Sequence, residues 1–102
     1  MPATLTETEF SKHLNTKFRI THPQPTELEL TEVKGYLSKA HEQTGMERFS
    51  AFFHGPGDLY LRQGTYSVEH EAMGDFELFL VPVEKDEKGL RYEAVFNYFR
   101  EK

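Results

Sequence analysis

The sequence contains no cysteine and no tryptophan. Without cysteine the chain forms no disulfide and offers no thiol nucleophile or thiolate metal ligand. It also has no apolar run long enough to cross a bilayer. Its first ten residues do not show the basic segment followed by an apolar one that marks a secretory signal. These absences predict a soluble, cytoplasmic protein that does not bind a membrane.

The sequence has fewer basic than acidic residues: 12 Lys and Arg and 17 Asp and Glu give a net charge of −5. A general nucleic-acid binder shows a clustered basic face, so no nucleic-acid partner is expected. The sequence has no low-complexity stretch and no repeat with a period of roughly 20 to 50 residues. At 102 residues, the chain suits one domain, and we predict a single β domain over residues 1–102.

Aromatic residues are abundant, with nine Phe and five Tyr. Large rings favour pleated, half-buried surfaces and so indicate a β-rich core. Near the N-terminus, Thr6 and Glu9 match a capping box, and Phe10 and Leu14 form an apolar pair at i and i+4. This pattern predicts one short helix of about two turns, docked through Phe10, Leu14 and Leu5.

Alternation of apolar and polar residues runs through most of the remaining chain. It predicts strands at residues 17–20, 27–37, 49–54, 65–70, 76–83 and 91–98, with a short extended piece at 59–61. A change of parity at Val33 predicts a bulge, and Pro82 predicts a second bulge or the end of regular pairing. Residues 38–47, 55–58, 72–75 and 84–89 read as loops or turns.

The short spacing of these strands, without helical periodicity between them, favours antiparallel neighbours over βαβ units. We predict a mainly β fold: a strongly curved antiparallel sheet or small barrel of six to seven strands, with one short N-terminal helix. Curvature hides strand edges and creates an interior for the rings. Residues 76–83 are predicted to form a central strand, with Phe79, Val81 and Val83 filling its second face.

The second half of the chain carries a recognisable pattern: FHGP at 53–56, QGTY at 63–66, EH at 69–70, LFLVP at 78–82 and RYEAVFN at 91–97. It resembles a family of small uncharacterised bacterial proteins, a domain of unknown function. The resemblance covers most of the chain and is closest from Phe49 to Asn97. This family is associated with phage-tail-like or collar-containing proteins. The resemblance therefore implies a structural or adaptor role, and it implies no catalytic residues.

Histidine side chains are the candidate metal ligands. Imidazoles of His41, His54 and His70 could converge at the mouth of a barrel. None of them belongs to a ligand motif such as HxH or HExxH, so we predict no metal and no cofactor. His70 is in phase with Tyr66 and Val68, which places it at the end of a core face with a hydrogen-bond partner.

The sequence also gives little support for catalysis. No serine lies in a GxSxG-like turn. Glu69, Glu77 and Glu93 could form a carboxylate pair across strands. The favoured interpretation is that outward carboxylates form ion pairs with Arg91 or Arg62. We predict no catalytic residue and no enzymatic activity, and the roles of His54, His70 and Glu77 stay open.

The aromatic excess leaves two interpretations of function. In the first, Tyr98 and Phe99 at the end of the last strand contact a protein partner or a second subunit. The domain is then a non-enzymatic structural or adaptor module, linked by its resemblance to phage-tail-like assemblies. It acts through an exposed edge strand or its aromatic C-terminus. In the alternative, Phe53, Tyr66 and His70 line the pocket of a small-molecule-binding β-barrel, which requires an enclosed cavity.

Overall fold

In a computed structural model of the chain, one short helix is followed by six antiparallel strands. The structure describes residues 5–22, 25–35, 46–87 and 89–99, without the side chains at 22, 46, 47, 98 and 99. The elements are the helix Glu7–Ser11 (α1) and the strands Lys17–His22 (β1), Thr26–Gly35 (β2), Met46–Gly55 (β3), Gly64–His70 (β4), Gly74–Asp86 (β5) and Gly89–Phe99 (β6). The predicted fold class is confirmed. No helix in these ranges is long and apolar enough to span a bilayer.

The sheet closes into a ring in the order β1–β2–β3–β6–β5–β4, with β4 returning to β1. Strand β1 makes the closure, because its residues Lys17–Ile20 pair with β2 while Arg19, Ile20 and His22 pair with β4. In a closed sheet each strand has a neighbour on both sides. Each described strand therefore has a neighbour on both sides over part of its length, and contact through an exposed edge strand stays a prediction.

Inward side chains at alternate positions of the strands fill the ring. Leu28 and Leu30 of β2 are buried as predicted, whereas Glu27 and Thr31 are exposed. The remaining strand residues of the core are Phe18, Ile20, Phe49, Ala51, Phe53, Tyr66, Val68, Leu78, Leu80, Leu90, Tyr92 and Ala94. Rings and branched side chains suit this arrangement because they pack well on a pleated surface.

Helix α1 contributes the Phe10 ring to the core. Thr6 Oγ1 accepts a hydrogen bond from Glu9 N at 3.2 Å, so the predicted cap forms. The Phe10 side chain is fully buried, and its ring lies 5.3 to 6.1 Å from four rings that belong to four different strands: Phe18, Phe49, Phe76 and Phe96. Phe10 therefore fastens the helix to the closed sheet.

The helix is shorter than predicted, and Leu14 does not dock. The chain leaves the helix after Ser11 and turns through Asn15, which has a φ of 67° and donates its N–H to the Leu30 carbonyl at 2.7 Å. Leu14 lies in this turn and is 37% exposed. The i, i+4 pairing with Phe10 fails because the helix ends before it reaches Leu14.

Both predicted bulges are present, between Leu30 and Glu32 and between Pro82 and Glu84. The predicted loop at 84–89 is wrong in extent, since β5 continues to Asp86, which pairs with Gly89. Gly89 has a φ of 134°, and a Cβ there would collide with the Gly55 carbonyl oxygen. The loop predicted at 38–47 lies outside the described residues up to position 45, and β3 begins at Met46.

The outer face of β5 is not the second covered face that the sequence predicts. Phe79 and Val83 are 51% and 42% exposed, and Val81 is half-buried. The 59–61 piece is not a strand, although its Leu61 is buried in the core. The apolar alternation of β5 therefore reflects one interior face and one face that is largely open to solvent.

We expect Phe10→Ala to destabilise the domain by about 3 to 5 kcal/mol, because the variant removes a fully buried ring and leaves a cavity. Leu14→Ala is the matched control and should cost less than about 1 kcal/mol, since Leu14 is partly exposed. Free energies of unfolding from urea titration measure both. Equal losses in the two variants would contradict this account of how α1 is held.

Candidate functional site

His70, the last residue of β4, is buried and fully hydrogen-bonded. Its Nδ1 accepts hydrogen bonds from the backbone N–H groups of Ala72 and Met73, each at 3.0 Å. Its Nε2 lies 2.9 Å from Thr16 Oγ1, which donates its own proton to the His13 carbonyl at 2.6 Å. This network places the ring proton on Nε2, so His70 ties the turn after β4 to the segment after α1.

Burial lowers the pKa of His70, and the nearby His13 lowers it further, while the Glu71 carboxylate acts in the opposite direction. The imidazole lies against Phe18 at a tilt of 35°, with ring centroids 4.2 Å apart, and 4.7 Å from the His13 ring. Both nitrogens are occupied by structural hydrogen bonds. His70 therefore holds the fold together rather than facing a ligand in the interior.

The other two pocket candidates are also packed into the core. Phe53 is fully buried and meets Phe18 edge to face, with ring centroids 5.3 Å apart. The Tyr66 ring is buried, and its hydroxyl donates to the Arg62 carbonyl at 2.6 Å. Neither residue lines any of the clefts described below. The structure thus brings Phe53 and His70 to the same ring, Phe18, but as filling for the core.

Tyr92 of β6 carries a role that sequence analysis missed. Its buried hydroxyl accepts a hydrogen bond from Leu61 N at 3.0 Å and donates to the Leu59 carbonyl at 3.4 Å. Burial raises the pKa of this hydroxyl. Together with Tyr66, Tyr92 holds the irregular segment between β3 and β4 against the closed sheet through these hydrogen bonds. From the sequence, Tyr92 could be recognised only as one more aromatic residue on the inward face of the last strand.

Two clefts lie on the outside of the ring. One is a groove of about 570 Å³, lined by Asn15, Lys17, Glu27, Glu29, Thr31, His54, Gly55 and Pro56. A second, of about 450 Å³, runs past Arg19, Glu69 and the edge of His70. The interior next to Phe53 and Tyr66 contributes to neither, which weighs against an aromatic-lined binding pocket.

Two residues that line the first groove, Thr31 and His54, form a hydrogen-bonded row with Asp86, which lies outside its lining. His54 Nδ1 lies 3.3 Å from Thr31 Oγ1, and its Nε2 lies 3.1 Å from Asp86 Oδ2. Sequence analysis missed this arrangement because the three residues come from β2, β3 and β5. A nucleophilic site also needs donors for a developing oxyanion. The groove instead carries the carboxylates of Glu27 and Glu29, and Thr31 Oγ1 also lies 3.3 Å from the Phe52 carbonyl, to which it donates. These features favour a structural role, in which the hydrogen bonds from Thr31 through His54 to Asp86 hold β2, β3 and β5 together.

The predicted carboxylate trio does not converge. Glu69 pairs with Arg19, Glu93 accepts a hydrogen bond from the buried Ser50, and Glu77 is exposed on β5. Arg91 does form cross-strand ion pairs, as predicted, but with Glu84 at 3.1 Å and Glu32 at 2.6 Å. Its guanidinium also lies 4.2 Å from the centre of the Phe52 ring. The carboxylates are thus distributed around the outer surface.

Within residues 5–22, 25–35, 46–87 and 89–99, no group of three or more His, Asp or Glu side chains is placed to hold a metal ion. His41, one of the candidate ligands, lies outside the described residues. Among the described buried polar side-chain atoms, none lacks a hydrogen-bond partner.

The surface with unexplained apolar groups is the outer face of β5 and β6. Phe79, Val83 and Val95 are 51%, 42% and 59% exposed, and they account for three of the five large apolar side chains found exposed in the described chain. Tyr98 and Phe99, the predicted interface residues, end β6, but their side chains lie outside the described part of the structure. We call Phe79, Val81 and Val95 the outer apolar strip.

These features define a small closed antiparallel β domain with a filled interior and an apolar strip on its outside. The model of one family matches residues 5–96, and its description is a domain of unknown function, DUF6916. The chain belongs to this family. Comparisons with curated proteins and with solved structures give no match.

The burial of His70 predicts a dependence of stability on pH. Because its pKa is below the ordinary 6.5 in the folded state, its contribution is complete above pH 6.5 and is lost as the pH falls through the folded-state pKa. His70→Asn keeps an acceptor for the turn but does not titrate. We expect the free energy of unfolding from urea titration to fall more steeply between pH 7.5 and 5 in the natural protein than in this variant. Parallel pH profiles would contradict this role of His70.

Proposed function

We propose that the domain is a non-enzymatic structural or adaptor module that works through protein–protein contacts made by the outer apolar strip. The observation that carries the proposal is the exposure of Phe79 and Val95 on neighbouring strands. Val81 of β5 pairs with Glu93 of β6, and Phe79 and Val95 each lie two residues beyond that pair on their own strand. Adjacent exposed apolar groups typically mark association surfaces.

The packing of the molecule supports this choice over ligand binding or catalysis. The pocket candidates Phe53, Tyr66 and His70 are used up in core contacts, and the groove at His54 is lined by carboxylates. Every described strand has a neighbour on both sides over part of its length, which supports contact through side chains of an outer face over strand addition.

The energetic contribution of the strip is modest for each residue. Burying the exposed half of a Phe or Val side chain contributes on the order of 1 kcal/mol. Such a surface supports an assembly contact only when its apolar groups are covered together. This fits a component of a larger assembly, and the proposal keeps the cytoplasmic setting and the phage-tail-like context predicted from the sequence.

Site-specific photo-crosslinking in the source cells tests the proposal. A benzophenone amino acid replaces Phe79 in one variant and Val95 in another, and it replaces Tyr60, which is 62% exposed, in the matched control. We expect discrete crosslinked protein species from positions 79 and 95 that are absent at position 60. No crosslinked species from either strip position, or the same species from all three positions, would contradict the proposal.

A further inference from the structure

We propose that the outer apolar strip binds a basic segment of another protein, one in which apolar side chains stand beside Lys or Arg. In this contact the apolar groups of the segment cover Phe79 and Val81, and its cations meet the carboxylates of Asp75 and Glu77. This inference rests on the proposed function and adds the chemistry of the partner.

Strand β5 places two carboxylates and two apolar groups in sequence on its outer face. Alternate positions of the strand carry, in order, Asp75, Glu77, Phe79 and Val81. The residues between them are buried in the core or packed against it, so these four side chains share the outer face. Residues two apart on a strand are separated by about 7 Å, and the four extend over about 20 Å. We call them the outer row of β5.

The neighbouring residues of β4 leave the outer row open. The register of β4 and β5 sets Thr65 beside Phe79 and Ser67 beside Glu77, and both hydroxyl side chains are short. A cleft of about 350 Å³ is lined by Ser67 and by the two carboxylate residues of the row, among others. This cleft is larger than a single Lys or Arg side chain, so it can accept one next to the carboxylates.

The carboxylates of the outer row are not neutralised by the chain itself. Neither Asp75 nor Glu77 takes part in an ion pair within the residues that the structure describes. In contrast, the outward carboxylates of Glu29, Glu69 and Glu84 each pair with Lys or Arg of a neighbouring strand. The negative charge beside the strip is therefore available to a cation from another molecule.

This chemistry selects a basic protein segment over other occupants. The chain carries a net charge of −5, so a second copy is repelled at long range, as are nucleic acids and anionic lipid surfaces. A basic segment is attracted over the same distance, and it satisfies the carboxylates and the apolar groups together. Complementary charges at the margin of an apolar contact also determine its orientation.

The spacing of the outer row defines the pattern that the partner carries. An extended segment also places alternate side chains on one face at intervals of about 7 Å. Two basic residues at alternate positions, followed by two apolar residues at alternate positions, therefore match the row from Asp75 to Val81. The pattern runs in the same direction as β5 or in the reverse direction.

Peptide titrations followed in two-dimensional NMR spectra of the full isotope-labelled chain test the inference. The probe is the peptide Lys-Thr-Lys-Thr-Val-Thr-Phe-Thr, and the matched control peptide has Glu in place of both Lys. We expect the lysine peptide to bind at least about tenfold more tightly, because it gains two ion pairs where the control meets like charges. Its shifts should be grouped at the outer row.

Charge reversal in the protein provides the second arm of the test. The double variant Asp75→Lys, Glu77→Lys should reverse the preference and bind the glutamate peptide more tightly. The control double variant Asp58→Lys, Glu87→Lys changes the net charge by the same amount at exposed sites outside the outer row. It should keep the preference for the lysine peptide.

No shifts with either peptide at millimolar concentration, or equal affinities for the two peptides, would overturn the inference. A preference for the lysine peptide that survives in the Asp75→Lys, Glu77→Lys variant would overturn it as well. If positions 79 and 95 still crosslink to another protein in the source cells, the proposed function stays in place without the basic partner. A crosslinked species with the mass of two copies of this chain would overturn the basic partner in favour of a second copy.

Discussion

Closure of the sheet by β1 is the constraint on which the rest of the structure depends. This strand of six residues pairs with β2 through one set of residues and with β4 through an overlapping set. Because it closes the ring, Phe18 and Ile20 face an interior, and Phe10 finds rings from four strands to pack against. His70 reinforces the same junction, since its hydrogen bonds connect the turn after β4 to the segment that leads into β1.

Closure also limits what the domain can do. The interior is committed to packing, and its polar groups, such as the Tyr92 hydroxyl, serve irregular segments of backbone. Over most of the outer face, side chains form ion pairs and hydrogen bonds, including those of Arg91 and His54. The outer apolar strip departs from this pattern, because it exposes apolar groups where the neighbouring surface is charged. It is therefore the part of the molecule that stability of the isolated domain does not explain.

Much of the fold could be predicted from local patterns. Alternation located the strands, and the parity change at Val33 and the proline at position 82 located the bulges, since both signals act within one strand. The exposure of Phe79 could not be predicted. The alternation shows that Phe79 and Val81 share a face of β5, but only the tertiary structure shows whether other residues cover that face. The line from Thr31 through His54 to Asp86 was also invisible, because it joins three strands that are distant in sequence. The predicted contact between Phe10 and Leu14 is wrong, because the helix ends at Ser11 and does not extend to Leu14.

The account's central claim is that the outer strip of β5 and β6, and not the interior or the carboxylate-lined groove, is where the domain meets another molecule. Amide resonances recorded in two-dimensional NMR spectra of the isotope-labelled protein, alone and with an unlabelled extract of the source cells, test this claim most directly. The claim predicts shifts or line broadening grouped at Phe79, Val81 and Val95. Spectra that the extract leaves unchanged, or changes grouped around His54 and Glu29 instead, would contradict it.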